Sequence, residues 1–120
     1  MHEHNETLRE ALARNVRDAL MEDIGRADWT AQLVPAGRRV QARVVAKEAA
    51  VICGRPWFDA CIRTLDPRAQ VDWPHGEGAE VAAGDVVCHI ESDARALLSA
   101  ERPALNFLQT LSATASVTRQ

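Results

Sequence analysis

Gly76-Glu77-Gly78-Ala79-Glu80-Val81-Ala82-Ala83-Gly84-Asp85-Val86-Val87-Cys88-His89-Ile90-Glu91 is the stretch whose reading decides the architecture. Two turn signals, Pro74 to Gly78 and Ala82 to Asp85, bracket a brief strand at Ala79 to Val81 and lead into a longer one at Val86 to Glu91. Gln70 to Trp73 supplies another strand candidate just upstream. Short strands joined by tight turns predict a small, mainly antiparallel β-layer.

Outward from that layer the period changes from two to that of a helix. Upstream, Pro56 suits the first turn of a short helix, with Trp57, Cys61, Ile62 and Leu65 on one side and Asp66-Pro67 as its stop. Before it, Val40, Ala42 and Val44 alternate with polar neighbours and Ala49 to Cys53 is apolar, which predicts one or two strands within 39–53. Thr7-Leu8-Arg9-Glu10 has the form of a capping box, and Leu8, Leu12, Val16 and Leu20 repeat on one face. That predicts a helix from Thr7 to Met21, stopping near Gly25, with Asp28-Trp29-Thr30 in a loop. Downstream, Leu97, Leu98, Leu105, Leu108, Leu111 and Ala115 predict a long C-terminal helix, interrupted near Ser99 and Pro103. Ser99 would cap the second segment and place Pro103 in its first turn. The apolar stripe of that helix has no downstream partner, so association through it is expected, as is a longer parent chain. Helices flanking a small antiparallel sheet make an α+β domain.

The chain has 120 residues, a net charge of -3, 47% hydrophobic and 26% charged residues, which fit one ordinary globular domain. A polypeptide of this size buries roughly 65% of its unfolded surface, enough for one core. The near-balanced charge offers no field for nucleic acid, no apolar run approaches membrane-spanning length, and the polar start Met1-His2-Glu3-His4 lacks a secretory pattern. No nucleic-acid or membrane partner and a cytoplasmic location are expected. Cys53, Cys61 and Cys88 are widely spaced among apolar neighbours, as buried free cysteines are.

Most motifs with chemical potential lose to simpler readings. Gly76-x-Gly78 lacks the third glycine and the following helix of a dinucleotide site, so hairpin glycines explain it. The same stretch looks like the hairpin of biotinyl and lipoyl carrier domains, but Lys47, the only lysine, is far from it in sequence. His2 and His4 sit on a terminus that cannot fix metal geometry. Cys88 and His89 alternate to opposite faces of a strand and cannot work as a pair. Arg102 is the exception. With Ser99 as cap it falls in a helical first turn, where unpaired N–H groups and the dipole favour anions, and its planar fork matches carboxylate or phosphate oxygens. Asn106, one turn on, is read as capping or cross-linking structure, and Lys47 and Arg55 as structural.

Four ordered blocks then carry a resemblance: Glu22-Asp23-Ile24-Gly25-Arg26-Ala27-Asp28-Trp29-Thr30, Cys53-Gly54-Arg55-Pro56-Trp57, Gly76 to Asp85, and Glu101-Arg102-Pro103-Ala104-Leu105-Asn106-Phe107-Leu108-Gln109-Thr110-Leu111-Ser112. Together they resemble the N-terminal domain of quinolinate phosphoribosyltransferase, also called nicotinate-nucleotide pyrophosphorylase (carboxylating), across about residues 8 to 119. Pro103 stands where that family usually has threonine or a similar residue, and Ala113 where glycine is common.

The resemblance implies an α/β-hammerhead-type sandwich over 1–120, serving substrate covering and dimerisation, with the catalytic barrel absent. It implies an enzyme of NAD biosynthesis that joins quinolinate to phosphoribosyl pyrophosphate, giving nicotinate mononucleotide, pyrophosphate and carbon dioxide. Mg2+ is expected for the full-length enzyme, with no cofactor and no catalytic or metal-binding residue in this chain, which alone is expected to be inactive. The implied partners are a second copy, as a homodimer or an oligomer of dimers, and the two substrates. Arg102 is implied to contact a quinolinate carboxylate in the neighbouring subunit's site. Related proteins of the same shape, a molybdenum-transport-associated homologue and nicotinate phosphoribosyltransferase, and a non-catalytic assembly module are the alternative readings.

Overall fold

The computed structural model describes residues 6–31, 37–108 and 115–119. Three helices cover one face of a four-stranded antiparallel sheet, and a two-stranded ribbon stands beside it. The helices are α1 (Leu8–Ala31), α2 (Arg55–Leu65) and α3 (Ala94–Asn106). The strands are β1 (Arg39–Ala46), β2 (Ala50–Val51), β3 (Gln70–Asp72), β4 (Glu80–Val81), β5 (Val86–Asp93) and β6 (Ala115–Arg119). The main sheet runs β3-β5-β1-β6, and the ribbon is β2-β4. The expected α+β class and mainly antiparallel layer are present.

Alternation sets the inner face. On β1, Ala42, Val44 and Ala46 are buried, while on β5 Ile90 lies opposite Ala42 and Cys88 opposite Val44. Outward-facing Gln41 and Arg43 lie opposite Glu91 and His89. The register slips between Val44 and Val45, leaving Val87 unpaired in β5, and this bulge lets the consecutive residues Val87 and Cys88 both bury. Phe58 and Ile62 of α2 and Leu97, Ala100 and Ala104 of α3 complete the core with no exposure at all.

The capping box at the start of α1 is complete: the Glu10 N–H donates to Thr7 Oγ1 at 3.0 Å and the Thr7 N–H donates to Glu10 Oε1 at 2.9 Å. Val16 and Leu20 are buried and Leu12 partly so, whereas Leu8 stays exposed. The helix does not stop near Gly25. It continues through Asp28-Trp29-Thr30 to Ala31, because an interior glycine costs only about 1 kcal/mol and no proline intervenes.

The C-terminal region departs further from the sequence reading. One uninterrupted helix runs through both Ser99 and Pro103, capped by Asp93, whose carboxylate accepts the Ala96 N–H at 3.1 Å. Pro103 lies inside α3 with its ring buried, so contacts with the core offset the N–H it lacks. The helix then tightens, with Phe107 N–H bonded to the Ala104 carbonyl at 3.1 Å and Leu108 N–H to that of Leu105 at 3.0 Å, and it ends. Leu108 is buried in the core outside any helix, Leu111 lies outside the described residues, and Ala115 opens β6 along the free edge of β1. The expected long C-terminal helix and its apolar stripe are therefore corrected: β-branched Val117 and Thr118 suit a strand, and pairing closes an edge that would otherwise stay open.

Candidate functional site

The outer arc of α3 holds the residue singled out by sequence. The helix turns Ala94, Leu97, Ala100, Pro103 and Ala104 into the core, which leaves Arg95, Ser99, Arg102 and Asn106 on the opposite side. Their spacing of four, three and four residues places them in one stripe. Arg95, Arg102 and Asn106 are exposed and Ser99 is half-buried. The stripe contains no acid, and all four side chains can donate hydrogen bonds.

This placement corrects the electrostatic argument for Arg102. It lies in the penultimate turn of α3, near the negative end of the helix dipole, and Ser99 is an interior residue instead of a cap. No free amides of a helical first turn surround the guanidinium, so any anion bound there is bound by the arginine fork itself. The helix start that does hold an anion belongs to α2. There the Glu77 carboxylate accepts the Gly54 N–H at 2.8 Å and the Arg55 N–H at 3.1 Å, satisfying two orphan donors. Sequence reasoning missed Glu77, since 22 residues separate it from Arg55 and no local pattern joins them.

Gly54 fixes how α2 meets α3. Its φ is +97°, and a Cβ built there would lie 2.0 Å from the carbonyl oxygen of Phe107. Glycine alone permits that approach. The contact pins the C-terminal turn of α3, and with it Asn106, against the start of α2. Arg55 stacks its guanidinium over Trp73 at 5.1 Å, Trp73 donates its indole N–H to Asp59 Oδ1 at 2.8 Å, and Phe58 meets the same indole edge-on at 5.3 Å. Arg55 is thus part of the packing, as the sequence reading holds. Burial raises the Asp59 carboxyl above its ordinary value, against the lowering effect of the indole bond and of Arg63 and Arg55.

Other sequence candidates separate. Lys47 is exposed in the bend after β1. Distance in sequence misleads there, because Ala46 bonds to Gly84 at 2.8 Å and to Asp85 at 3.0 Å, bringing Lys47 beside the Ala82 to Asp85 turn. Its flanking strands nevertheless pair in different sheets, which is not a carrier hairpin. His89 faces out while Cys88 is buried. His2, Glu3 and His4 lie outside the described residues. Of the cysteines, Cys61 and Cys88 are buried as expected, with burial pushing the Cys61 thiol up to about 12 and the Cys88 thiol still higher. Cys53 is exposed, which corrects the expectation for that residue. Among the described residues no group of three or more His, Cys, Asp or Glu side chains is placed to hold a metal ion.

A family model described as "Quinolinate phosphoribosyl transferase, N-terminal domain" matches residues 28–112. The chain belongs to that family. Relatives agree: a protein of Synechocystis sp. named "Probable nicotinate-nucleotide pyrophosphorylase (carboxylating)" is 44% identical over 101 residues, covering 84% of this chain and 34% of its own. The chloroplastic nicotinate-nucleotide pyrophosphorylase (carboxylating) of Oryza sativa is 33% identical, over 84% of this chain and 28% of its own. The solved nicotinate-nucleotide pyrophosphorylase of Francisella tularensis superposes with a TM-score of 0.80 at 30% identity, covering 91% of this chain and 39% of that one. The chain spans about a third of the length of these curated relatives, and what it shares with them is their quinolinate phosphoribosyl transferase N-terminal domain. Among the described residues no helix is long and apolar enough to cross a membrane.

Proposed function

We propose that this domain serves an enzyme that joins quinolinate to phosphoribosyl pyrophosphate, yielding nicotinate mononucleotide, pyrophosphate and carbon dioxide in NAD biosynthesis, by covering the mouth of a neighbouring subunit's barrel and lending it Arg102. The reading rests on one observation: within the family's domain, Arg102 stands exposed on an acid-free arc of a helix whose other face is locked in the core.

A dicarboxylate is multiply charged, and bringing it to a reacting ribose requires fixed positive charge and directed donors. The Arg102 guanidinium offers two parallel N–H groups to one carboxylate, orienting the ring while leaving the other end of the molecule to the barrel. Mg2+ belongs to the proposal as the metal that neutralises pyrophosphate. The acids and histidines described in this domain do not form a site for it, so its ligands are assigned to the remainder of the full-length protein. A homodimer, or an oligomer of dimers, follows from a residue that acts across subunits, and a cytoplasmic location completes the proposal, although the rice relative is chloroplastic by name.

Arg102→Ala in the full-length protein tests the reading. Losing charge-assisted hydrogen bonds worth about 1.5–3 kcal/mol should raise the KM for quinolinate by about one to two decades and leave that for phosphoribosyl pyrophosphate nearly unchanged. Arg102→Lys should recover little, since an ammonium has no fork. Mixed dimers sharpen the test. Pairing a wild-type chain with one that combines Arg102→Ala and a dead barrel leaves the only live barrel facing the missing arginine, whereas separating the two defects preserves one complete site. Equal activity in the two arrangements would refute action across subunits.

A further inference from the structure

We infer that Asn106 is a second substrate-contacting residue of α3, donating its side-chain N–H to the dicarboxylate that Arg102 grips. The inference rests on the function proposed for Arg102 and adds a residue that sequence reasoning assigned to structure. Asn106 follows Arg102 by four residues, so the two side chains leave the helix about 40° apart and about 6 Å along the axis, within reach of one small ligand. Both are exposed, and neither can be turned away by rotating the helix, because Leu97, Ala100 and Ala104 are completely buried on the other side. The Gly54 contact at Phe107 fixes the same turn at its end.

The structural role expected of Asn106 is not found. Among the described residues its side chain makes no hydrogen bond, and asparagine is a poorer helix former than the alanine, leucine or arginine elsewhere in α3. A carboxamide exposed there offers two N–H donors one turn from an arginine. Where Arg102 spends its fork on one carboxylate, the Asn106 amide, a turn further on, can meet an oxygen of the carboxylate on the adjacent ring atom. The spacing suits the dicarboxylate of the proposed function, and the amide contributes orientation more than charge.

The test compares Asn106→Asp, Asn106→Ala and Arg102→Ala in the full-length protein, with thermal unfolding of the Asn106 variants as a control. Asn106→Asp keeps the shape and replaces the donor with a repelling carboxylate, so the KM for quinolinate should rise about tenfold, while Asn106→Ala raises it about threefold. The KM for phosphoribosyl pyrophosphate should not move and the unfolding midpoint should not fall. An unchanged quinolinate KM in Asn106→Asp, or equal shifts for both substrates with a lowered midpoint, overturns the inference. Should Arg102→Ala raise that KM while Asn106→Asp does not, only the role of Asn106 falls. Should Arg102→Ala itself be silent, the function proposed for Arg102 falls and the role of Asn106 with it.

Discussion

Asp66 shows how much one side chain can hold. It follows α2, and its buried carboxylate accepts the Asp93 N–H at 2.8 Å, the Arg68 N–H at 3.0 Å and Arg39 Nη1 at 2.7 Å. Three distant points, the end of α2, the start of β1 and the end of β5, are thereby tied at one acceptor. Asp66→Ala should destabilise the domain by about 2–3 kcal/mol, because two backbone donors and an arginine lose a charged partner, and thermal unfolding would show it. The bond from the Asp93 N–H is the largest cause holding this carboxyl below the usual aspartate range; the Arg68 N–H and Arg39 add to it, and desolvation opposes them. A depressed folded value means that the stabilisation is complete above the unfolded aspartate pKa, near 3.9, and is lost as pH falls below that through the folded value. Asp66→Asn should flatten this acid limb. A variant as acid-sensitive as the wild type would contradict the assignment.

At the scale of elements, the site depends on how α2 and α3 meet. Gly54→Ala places a methyl against the Phe107 carbonyl and forces a non-glycine residue to φ +97°. The left-handed backbone alone costs about 1–2 kcal/mol, and the clash must be relieved by moving the end of α3. With the clash added to that backbone cost, the expected result is a loss of about 2 kcal/mol or more in denaturant unfolding. In the full-length protein, quinolinate binding should weaken more than phosphoribosyl pyrophosphate binding, since Asn106 rides on the displaced turn and Arg102 stands on the turn before it. A stable variant with unaltered quinolinate KM would show that the close approach has no bearing on the site. The elements most legible in the sequence were those with a local signature: the Thr7 to Glu10 capping box, the alternation in β1 and β5, and α2 between Gly54 and Asp66. Ser99 and Pro103 misled because each is a local boundary signal, whereas the buried face of α3 is continuous across both.

For the whole molecule, the 120-residue chain should form no nicotinate mononucleotide when supplied with quinolinate, phosphoribosyl pyrophosphate and Mg2+. It offers a stripe of hydrogen-bond donors on one helix surface, but among the described residues no group of His, Cys, Asp or Glu placed to hold a metal ion. Product formed above the uncatalysed rate by the native chain, and lost on heat denaturation, would sink this expectation.

Sequence by itself determined what is written in short spans. Helix starts, strand alternation and glycine turns depend on dihedral preferences and side-chain periods within a few residues, and the ordered blocks ending in Glu101 to Ser112 point to the family without any contact being known. Tertiary structure alone decided what depends on partners far along the chain. The extension of α1 past Gly25, the passage of α3 through Pro103, β6 on the edge of β1, and the capture of the α2 amides by Glu77 each replace a local preference worth about 1–3 kcal/mol with packing or pairing that local sequence does not encode. The surroundings of Arg102 changed for the same reason: its residue type is local information, but the turn of the helix it occupies is set by which face of α3 the core accepts.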